Sequence, residues 1–293
     1  MPSPDKILVL GAAFVDVIMK VPSLPVSGED VTGILQSYEI GGSAFNVFGA
    51  LKYTNAKADL FVPIGNGPYA NMVKKAFASN NLPIMIADSR SDNGWDLCLI
   101  EPNGERSFIT IQGIEQLWTS SWFDEINLDD YKYFYISGYE IEDDNVSKII
   151  LAKLSNRRAD SYVLFDSSPR IKYLNSQVID QLLSRNVLIH CNQSELEYLS
   201  HKETLDEKLL DVYKKTNTPV IVTLGEMGTL IYDSVGKRLI NTSKTPIVNT
   251  IGAGDTHCGG ILSGLQRGMK IDDAVTLGNK LSAKVVSQQS GCL

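Results

Sequence analysis

The second half of the chain alternates short apolar runs with amphipathic segments, and this alternation limits the possible fold more than any other feature. Apolar, β-prone runs recur at 133–137, 162–165, 187–190 and 219–223. Segments with helical spacing lie between them, and a long one closes the chain at 271–288. Strands that alternate with helices form parallel sheets, because the connecting helices cover the sheet faces. The pattern predicts an α/β fold: a doubly wound, mostly parallel sheet with helices on both faces.

The N-terminal run Lys6 to Gly11 is typical of a central parallel strand, because it is continuously apolar and ends in glycine. No G-x-G-x-x-G follows it, so the fingerprint of a dinucleotide-binding site is absent here. Asp16 comes just beyond the strand, where open α/β sheets place their ligands. On position alone, Asp16 is equally compatible with a surface loop.

The β-prone runs near the N-terminus do not fit the α/β alternation. Residues 14–40 show little helical periodicity, and runs at 96–101 and 106–112 flank a Pro-Asn-Gly-Glu turn typical of a hairpin. We expect these strands to form a small separate sheet, inserted as a lid from about 14–40 and 95–112. Such lids exclude water from phosphoryl-transfer sites. No long linker interrupts residues 1–293, which predicts a single domain.

The stretch 249–260 carries the clearest chemical signal. It follows a β-rich run at 245–248 and opens a segment whose apolar residues recur at helical spacing. Gly252 and Gly254 therefore lie at a helix N-terminus, where free N–H groups and the helix dipole favour an anion. Asp255 follows in the first turn, where it can accept a proton. This combination suits transfer of a phosphoryl group to a hydroxyl, although a glycine turn with a capping Asp has the same pattern.

Two other helix starts carry polar residues. Gly41 and Gly42 lead into a helix capped by Ser43, and Asn46 follows early in that helix. Asn46 can hydrogen-bond a substrate hydroxyl or simply satisfy the helix start. Asn192-x-x-Glu195 has the spacing of a capping box, and the same helix start is also a suitable platform for a metal ion and phosphate.

Composition excludes several classes of function. The net charge is -7 and no basic stretch occurs, which argues against nucleic acid as a partner. No apolar run has membrane-spanning length, and the N-terminus lacks the pattern of a signal peptide. The four cysteines are scattered without a C-x-x-C, so we expect a cytoplasmic protein without disulfides or zinc.

Together these motifs resemble the signatures of the ribokinase-like (PfkB) family of carbohydrate and nucleoside kinases. The stretch 249–260 is similar to the second signature, D-T-x-G-A-G-D-x-F-x-G-G, and Gly41-Gly42 with Asn46 is similar to the first. The N-x-x-E motif and the stretch 223–228 match further family motifs. The resemblance covers essentially the whole chain and is strongest to an uncharacterised bacterial sugar-kinase branch.

The resemblance implies roles for the residues at the catalytic and nucleotide sides. Asp255 would be the base that takes the proton of the acceptor hydroxyl, and Gly252, Ala253 and Gly254 would form an anion hole with it. Glu195, with Asn192, would organise Mg²⁺ through water. The remaining positions would bind ATP: Thr223, Gly225 and Gly228 at its phosphates and ribose, and Asn279 beside adenine. For Asn279 the exposed face of the last helix is an equal alternative.

On the acceptor side, the resemblance implies that hydroxyl groups are held by four residues: Asp16, Gly41, Gly42 and Asn46. Trp95 would stack on or cover the acceptor. Arg170 would contact phosphate or an acidic substituent.

The chain departs from the family pattern at three places. Asn249 replaces the first Asp of the second signature, which in many relatives helps to bind a monovalent cation, so dependence on K⁺ stays open. His257 replaces an aromatic residue, which we interpret as a packing change. Relatives also continue for a short segment beyond the last helix, so this is either a short branch of the family or a truncated chain.

The sequence therefore predicts an ATP-dependent kinase that phosphorylates a hydroxyl, expected to be primary, of a small sugar or sugar-like compound. A nucleoside kinase, including one that acts on pseudouridine-like substrates, is the alternative within the same chemistry. A non-catalytic sugar or nucleotide sensor is the alternative from another class, but it would not need Asp255. A homodimer formed through the lid is a further hypothesis, because exposed strand edges pair with other strands.

Overall fold

The computed structural model describes residues 5–293, which form fourteen strands and eight α-helices. The strands are β1 (Lys6–Leu10), β2 (Phe14–Lys20), β3 (Ile34–Gly41), β4 (Ala58–Phe61), β5 (Pro63–Ile64), β6 (Ile86–Ala87), β7 (Trp95–Ile100), β8 (Arg106–Ile111), β9 (Tyr131–Ser137), β10 (Tyr162–Asp166), β11 (Val187–Asn192), β12 (Val220–Thr223), β13 (Thr229–Asp233) and β14 (Gly236–Ile240). The α-helices are α1 (Ser43–Tyr53), α2 (Pro68–Ser79), α3 (Asp144–Leu154), α4 (Ser176–Leu182), α5 (Gln193–Leu199), α6 (Leu205–Thr216), α7 (Ala253–Gln266) and α8 (Ile271–Val286). Short 3₁₀ helices occur at Ile114–Gln116, Ser120–Glu125, Leu128–Asp130, Pro169–Tyr173 and Gly225–Met227.

These elements belong to two compact units. The first unit contains residues 5–11, Ser43–Phe61 and Trp118–Leu293. The second unit contains Ala12–Gly42 and Val62–Leu117. The chain therefore passes between the units several times.

The first unit is built on an eight-stranded sheet with the order β14-β13-β12-β11-β10-β9-β1-β4. Neighbouring strands from β12 to β4 are parallel, and β13 and β14 run antiparallel at one end. The carboxyl ends of the six parallel strands therefore lie at one edge, where ligands of such sheets bind. The predicted α/β fold with a mostly parallel sheet is confirmed.

The central strands of this sheet are buried along nearly their whole length, as expected for strands covered on both faces. Residues 7–10 of β1 and 163–166 of β10 are all buried. Helix α7 packs on β1, β9 and β10 and contacts both α1 and α8. Helices α5 and α6 pair with each other and pack on β12.

Helix α7 approaches its two helical neighbours through glycines. A Cβ atom added to Gly259 would lie 2.7 Å from the Val47 carbonyl oxygen of α1. A Cβ atom added to Gly260 would lie 2.6 Å from the Cα of Gly278 in α8. The backbones of the three helices are therefore in direct contact.

The second unit contains a separate four-stranded sheet with the order β3-β2-β7-β8, which confirms the expected small sheet. Helix α2 packs on β2 and β3. A further pair, β5 and β6, is parallel. The apolar run at 59–64 is divided between two strands: β4 ends at Phe61 in the large sheet, and β5 starts at Pro63, which has no N–H for a continuous ladder.

Two local predictions differ from the structure. The β-rich run at 245–248 forms no strand, and Ile247 and Val248 are exposed, because β-prone residues need a neighbouring strand to pair with. Helix α6 was not predicted, although Thr204 and Glu207 form a capping box at its start. Of the helices in residues 5–293, none has both the length and the apolar character to cross a membrane.

Candidate active site

The start of α7 places a carboxylate and a glycine turn together. Gly252 is the N-cap of the helix and has a φ of 71°, in the left-handed region that favours glycine. A Cβ atom at this position would lie 1.9 Å from the Gly291 carbonyl oxygen, so a side chain does not fit. Asp255 follows in the first turn. The sequence-based assignment of this helix start is confirmed.

Asn46 and Asp255 are in direct contact. The Asn46 side-chain amide donates a hydrogen bond of 2.9 Å to Asp255 Oδ2. Asn46 is buried in α1, and α1 packs along α7. The first and second signature motifs therefore meet at the catalytic carboxylate predicted from the sequence.

The surroundings of Asp255 favour its protonated form. Burial raises the pKa of Asp255 to about 7, and the negative charge of Asp166 adds to the rise. The hydrogen bond from Asn46 acts in the opposite direction. A carboxylate with a pKa near neutrality is suited to accept a proton from a hydroxyl and release it later.

Backbone N–H groups at this helix start are available to an anion. The N–H of Ala253 donates to Thr250 O, and the N–H of Thr256 donates to Gly252 O. Between them, the N–H groups of Gly254 and Asp255 have no acceptor in the described part of the chain. Gly254 is exposed and a Cβ atom there would meet open space. This is the arrangement expected of an anion-binding helix start.

Further carboxylates lie where the parallel strands end. Glu140 follows β9 and accepts hydrogen bonds from the N–H and hydroxyl of Ser137. Burial raises the pKa of Glu140 to about 7, and the bonds from Ser137 oppose the rise. Asp166 ends β10, and its Oδ1 lies 2.8 Å from His190 Nδ1 on β11. The negative charges of Asp166 and Glu140 both raise the pKa of Asp255, so the three carboxyl groups are close enough to interact electrostatically.

Asn192 and Glu195 form the capping box that starts α5. Asn192 Oδ1 accepts the Glu195 N–H at 2.9 Å, and Glu195 Oε2 accepts the Asn192 N–H at 3.0 Å. Glu195 also accepts from the Asn192 amide and from the Ser167 hydroxyl. Burial raises the pKa of Glu195. Both oxygens of Glu195 therefore already accept protein hydrogen bonds.

Comparison with known proteins identifies the family of this chain. Residues 4–293 match the family described as pfkB family carbohydrate kinase. The chain belongs to that family. Membership makes it a phosphotransferase with an alcohol group as acceptor, which transfers phosphate from ATP to a sugar or nucleoside.

The chain is similar to individual relatives over most of its length. It is 32% identical over 291 residues to the uncharacterized sugar kinase YegV of Escherichia coli, covering 98% of this chain and 90% of the relative. It is 29% identical over 279 residues to an adenosine kinase of Schizophyllum commune, covering 87% and 81%. The crystal structure of a ribokinase from Thermotoga maritima has the same fold, with a TM-score of 0.84, 21% identity, and coverage of 98% of this chain and 93% of that chain.

The predicted nucleotide residues of the kinase lie at the β12–β13 turn and in α8. Thr223 ends β12, and Gly225 and Gly228 both have positive φ values. Asn279 is buried, so the exposed-face alternative is wrong. Its Oδ1 accepts a 2.7 Å hydrogen bond from the Thr229 hydroxyl, and its Nδ2 donates to Ile240 O. Its predicted position beside adenine stays a prediction.

The signature departure at Asn249 has a defined structural role in the kinase. Asn249 is buried, its Nδ2 donates to Gln289 O at 2.7 Å, and its Oδ1 accepts the Ile251 N–H at 2.9 Å. The amide therefore joins the turn before α7 to the segment after α8. A carboxylate at this position could accept from Ile251 but could not donate to a carbonyl.

In the second unit, Asp16 packs against the glycine pair. A Cβ atom on Gly41 would lie 2.5 Å from Asp16 Oδ2, and one on Gly42 would lie 2.7 Å from Ala12 O. Strand register aligns Asp16 with Glu39 on β3 and Asp96 on β7. Burial raises the pKa of Asp16 to about 7, and the charges of these two neighbours add to the rise.

Two predicted acceptor residues have other contacts. Trp95 is paired in register with the buried Val15 and stacks on Tyr69 at 5.0 Å between ring centroids, so it lies on the sheet face opposite Asp16. Arg170 forms an ion pair with Glu142 at 3.3 Å and lies over the rings of Tyr139 and Tyr173. Contact of either residue with the acceptor stays a prediction.

Three polar residues of this site were missed in the sequence: Glu140, Asp166 and His190. Asp166 was visible as a carboxylate at the end of an apolar run, but its partner could not be identified without the strand order. Ligand atoms of Asp166, His190 and Cys258 lie within 4.8 Å of one another. Both ring nitrogens of His190 already have hydrogen-bond partners, Asp166 at 2.8 Å and His257 at 2.9 Å, so we interpret the cluster as part of a hydrogen-bond network rather than as a metal site.

Proposed function

We propose that Asp255 is the general base of this kinase and that it takes the proton of the acceptor hydroxyl as that oxygen attacks the γ-phosphorus of ATP. The observation that carries the proposal is the 2.9 Å hydrogen bond from Asn46 to Asp255, beside N–H groups that have no protein acceptor among the described residues. Asn46 would orient the carboxylate, leaving its other oxygen for the hydroxyl.

The N–H groups of Gly254 and Asp255 would stabilise the charge that develops on the transferred phosphoryl group. Preorganised backbone donors are effective in this role because they need no rearrangement during the reaction. Gly252 would keep them in place, since its left-handed conformation turns the chain into the helix. The residues proposed for ATP are those of the family motifs: Thr223, Gly225, Gly228 and Asn279.

The donor set at α5 fits Mg²⁺ bound through water. Glu195 presents a carboxylate, the oxygen ligand that Mg²⁺ prefers, but its oxygens already accept from Asn192 and Ser167. Direct coordination would break those hydrogen bonds, whereas a water ligand would not. The ion would neutralise negative charge on the phosphates of ATP. Glu195 and Asn192 would orient its water shell.

The donor set around Asn249 does not fit a monovalent cation. The neutral side chain has no charge to offer, and its Nδ2 donates to Gln289 O, which leaves a donor rather than a ligand at that point. We therefore propose that this kinase needs no K⁺. The amide would perform the bridging that a cation performs in relatives that have an Asp here.

On the acceptor side, the hydroxyl groups of a small sugar would be held by Asp16, Gly41, Gly42 and Asn46. The primary hydroxyl is the expected phosphorylation site. A nucleoside offers the same ribosyl hydroxyls, and the 29% identity to an adenosine kinase supports keeping nucleosides as the second candidate class.

A homodimer through the second unit's sheet is also proposed. Its two edge strands carry exposed apolar side chains, Ile34 and Tyr38 on β3 and Phe108 and Ile109 on β8. Exposed apolar edge strands favour pairing with another chain. Sedimentation of the protein and of an Ile109→Lys variant tests this, because a dimer held by this edge should dissociate in the variant and a monomeric wild type would contradict it.

The decisive experiment measures ADP release with Mg-ATP over a panel of pentoses, hexoses, sugar acids and nucleosides. We expect turnover on at least one acceptor and a loss of at least about 10³-fold in kcat for Asp255→Asn. Turnover that survives unchanged in Asp255→Asn would show that Asp255 is not the general base. Binding of ligands without turnover by the wild-type protein would favour a sensor.

A further inference from the structure

A continuous chain of buried hydrogen bonds crosses the first unit beside the candidate active site. It passes through five side chains on five elements: Asp166 (β10), His190 (β11), His257 (α7), Thr229 (β13) and Asn279 (α8). His190 Nε2 lies 2.9 Å from His257 Nδ1, and His257 Nε2 lies 3.2 Å from Thr229 Oγ1. None of the five is more than 8% exposed.

The end of the chain at Asn279 fixes the direction of its first bonds. Asn279 Nδ2 faces the carbonyl oxygens of Ile240 and Asn241, which can only accept. Asn279 Oδ1 therefore faces Thr229 and accepts its hydroxyl proton. The Thr229 oxygen is then left to accept from His257, so His257 carries its proton on Nε2.

The same logic continues to Asp166. Burial lowers the pKa of His257 to about 3, and His190 adds to the drop, so the His257 ring is neutral and its Nδ1 accepts. His190 Nε2 must then donate. The remaining contact, from His190 Nδ1 to Asp166 Oδ1 at 2.8 Å, holds one proton between the two groups. Every hydrogen bond from His190 Nε2 to Asn279 thus has a single assigned direction.

Such a chain costs stability unless each member is satisfied, and an apolar cluster of the same volume would fold as well or better. The positions of the two histidines suggest that these hydrogen bonds have a role other than stability. His257 is two residues beyond Asp255 on α7, and His190 is two residues before Asn192, where α5 starts. Their mutual hydrogen bond links the side chains of these two segments directly.

We propose that His190 and His257 are positioning residues for phosphoryl transfer, whose hydrogen bond fixes the helix start that carries Asp255 relative to the Asn192–Glu195 helix start. This role rests on the proposed function. Displacement of reacting groups by about 1 Å can reduce a rate about 100-fold, so a fixed separation has a direct kinetic value. Asn279 and Thr229 set the ring orientation of His257 from the opposite side.

The ring of His257 is also held by packing. A Cβ atom on Gly278 of α8 would lie 2.8 Å from His257 Cδ2, so the imidazole fills the space against the α8 backbone. Phenylalanine at this position would keep a ring in that space while removing both hydrogen bonds. The change therefore separates hydrogen bonding from packing.

A spectroscopic experiment tests the assigned hydrogen-bond directions and does not require a phosphate-accepting substrate. The protein has three histidines, and His201 is exposed, so a spectrum of protein labelled with ¹⁵N in histidine contains only His190 and His257 besides this reference. We expect His257 as the neutral Nε2–H tautomer across the range in which the protein is folded. A proton on His257 Nδ1, or the absence of a proton from His190 Nε2, would contradict the assigned directions of the hydrogen bonds.

A matched set of variants tests the positioning role, using the acceptor with the highest turnover on the panel. In His257→Asn, the amide oxygen can take the place of Nδ1 and keep the hydrogen bond to His190. In His257→Gln, the longer side chain places its amide where Nε2 was, towards Thr229, and the hydrogen bond to His190 is lost. We expect kcat to fall about 10- to 100-fold in His257→Phe and His257→Gln, with KM values within about threefold. His257→Asn should retain kcat within about threefold.

Thr218→Val serves as the structural control. Thr218 is buried and its hydroxyl donates to Val187 O at the other end of β11, so the variant loses a buried hydrogen bond on the same strand. It should lower the unfolding temperature as His257→Phe does, while leaving kcat unchanged. Wild-type kcat in His257→Phe, or equal losses in all three His257 variants, would overturn the proposal. A wild-type protein without turnover on any acceptor would instead contradict the proposed function, and this role with it.

Discussion

The side-chain amide of Asn46 donates its hydrogen bond to Asp255 across 209 residues of sequence. Helix α1 and helix α7 pack together, so a residue in the first turn of α1 and a residue in the first turn of α7 reach the same point. The contact gives Asn46 a function beyond satisfying a helix start. It stabilises the ionised form of a carboxylate whose burial favours the protonated form.

The pH dependence of turnover should reflect this balance. Because the pKa of Asp255 is raised to about 7, its basic form is depleted as pH falls below that value, and kcat should fall with it. Asn46→Ala removes a donor to the carboxylate, so the acid limb should move upward by about one pH unit. Rate profiles of both proteins on one acceptor check this. An acid limb at the same pH in the two proteins would contradict the link.

The ionised carboxylate of Asp255 should also lower the stability of the folded protein at neutral pH. A carboxyl group whose folded pKa exceeds its unfolded value favours folding most when protonated, and stability is lost as pH rises from about 4 to about 7. Asp255→Asn removes that cost, so the variant should unfold at least about 2 °C above the wild type at pH ~8, with a smaller difference at pH ~5. Thermal unfolding at both pH values is the measurement. Asp16 and Glu140 are present in both proteins, so their contributions to the pH dependence of stability cancel in the comparison. A variant that is less stable than the wild type at the higher pH would refute the expectation.

Gly252 should tolerate no side chain. In Gly252→Ala, the strain of the left-handed conformation and the steric clash with Gly291 O both destabilise the folded state. We therefore expect the free energy of unfolding to fall by about 2 kcal/mol or more, and kcat to fall strongly. Gly268→Ala is the matched control, because Gly268 has a similar φ of 74° with open space around it. It should lose about 1 kcal/mol and retain kcat. Denaturant unfolding and turnover of the two variants decide the matter, and equal effects would argue against a special role for the turn.

Replacement of KCl by tetramethylammonium chloride at equal ionic strength should leave the wild-type rate unchanged, because Asn249 already bridges to Gln289. In Asn249→Asp a carboxylate oxygen would face the Gln289 carbonyl, and repulsion between two acceptors should lower stability and activity. Added K⁺ should then restore part of both. Strong K⁺ activation of the wild-type protein would show that the amide does not take the place of the cation.

The sequence allowed prediction of the sheet, the small second sheet and the start of α7, because these depend on local periodicity and glycine spacing. It did not allow prediction of Asp166 with His190, since their contact depends on which strands are neighbours. The split between β4 and β5 depends on pairing partners in the same way. His257 was interpreted as a packing change, and its ring does pack on Gly278. Its hydrogen bonds to β11 and β13 were hidden, because no periodicity in one segment identifies a partner in another.

The glycine contacts of α7 have a consequence for local opening of the molecule. Ligand-binding segments usually belong to the parts of a protein that open at low free energy. Here the proposed catalytic carboxylate lies in the first turn of a helix whose residues 256–264 are all buried and whose backbone touches α1 and α8 directly. Separating any one of these helices exposes the backbone of another. The amide protons of residues 256–264 should therefore exchange with solvent only when the whole first unit unfolds, whereas those of Gly254 and Asp255, which have no acceptor in the described part of the chain, should exchange readily. The helix that carries the proposed base then belongs to the last part of that unit to open.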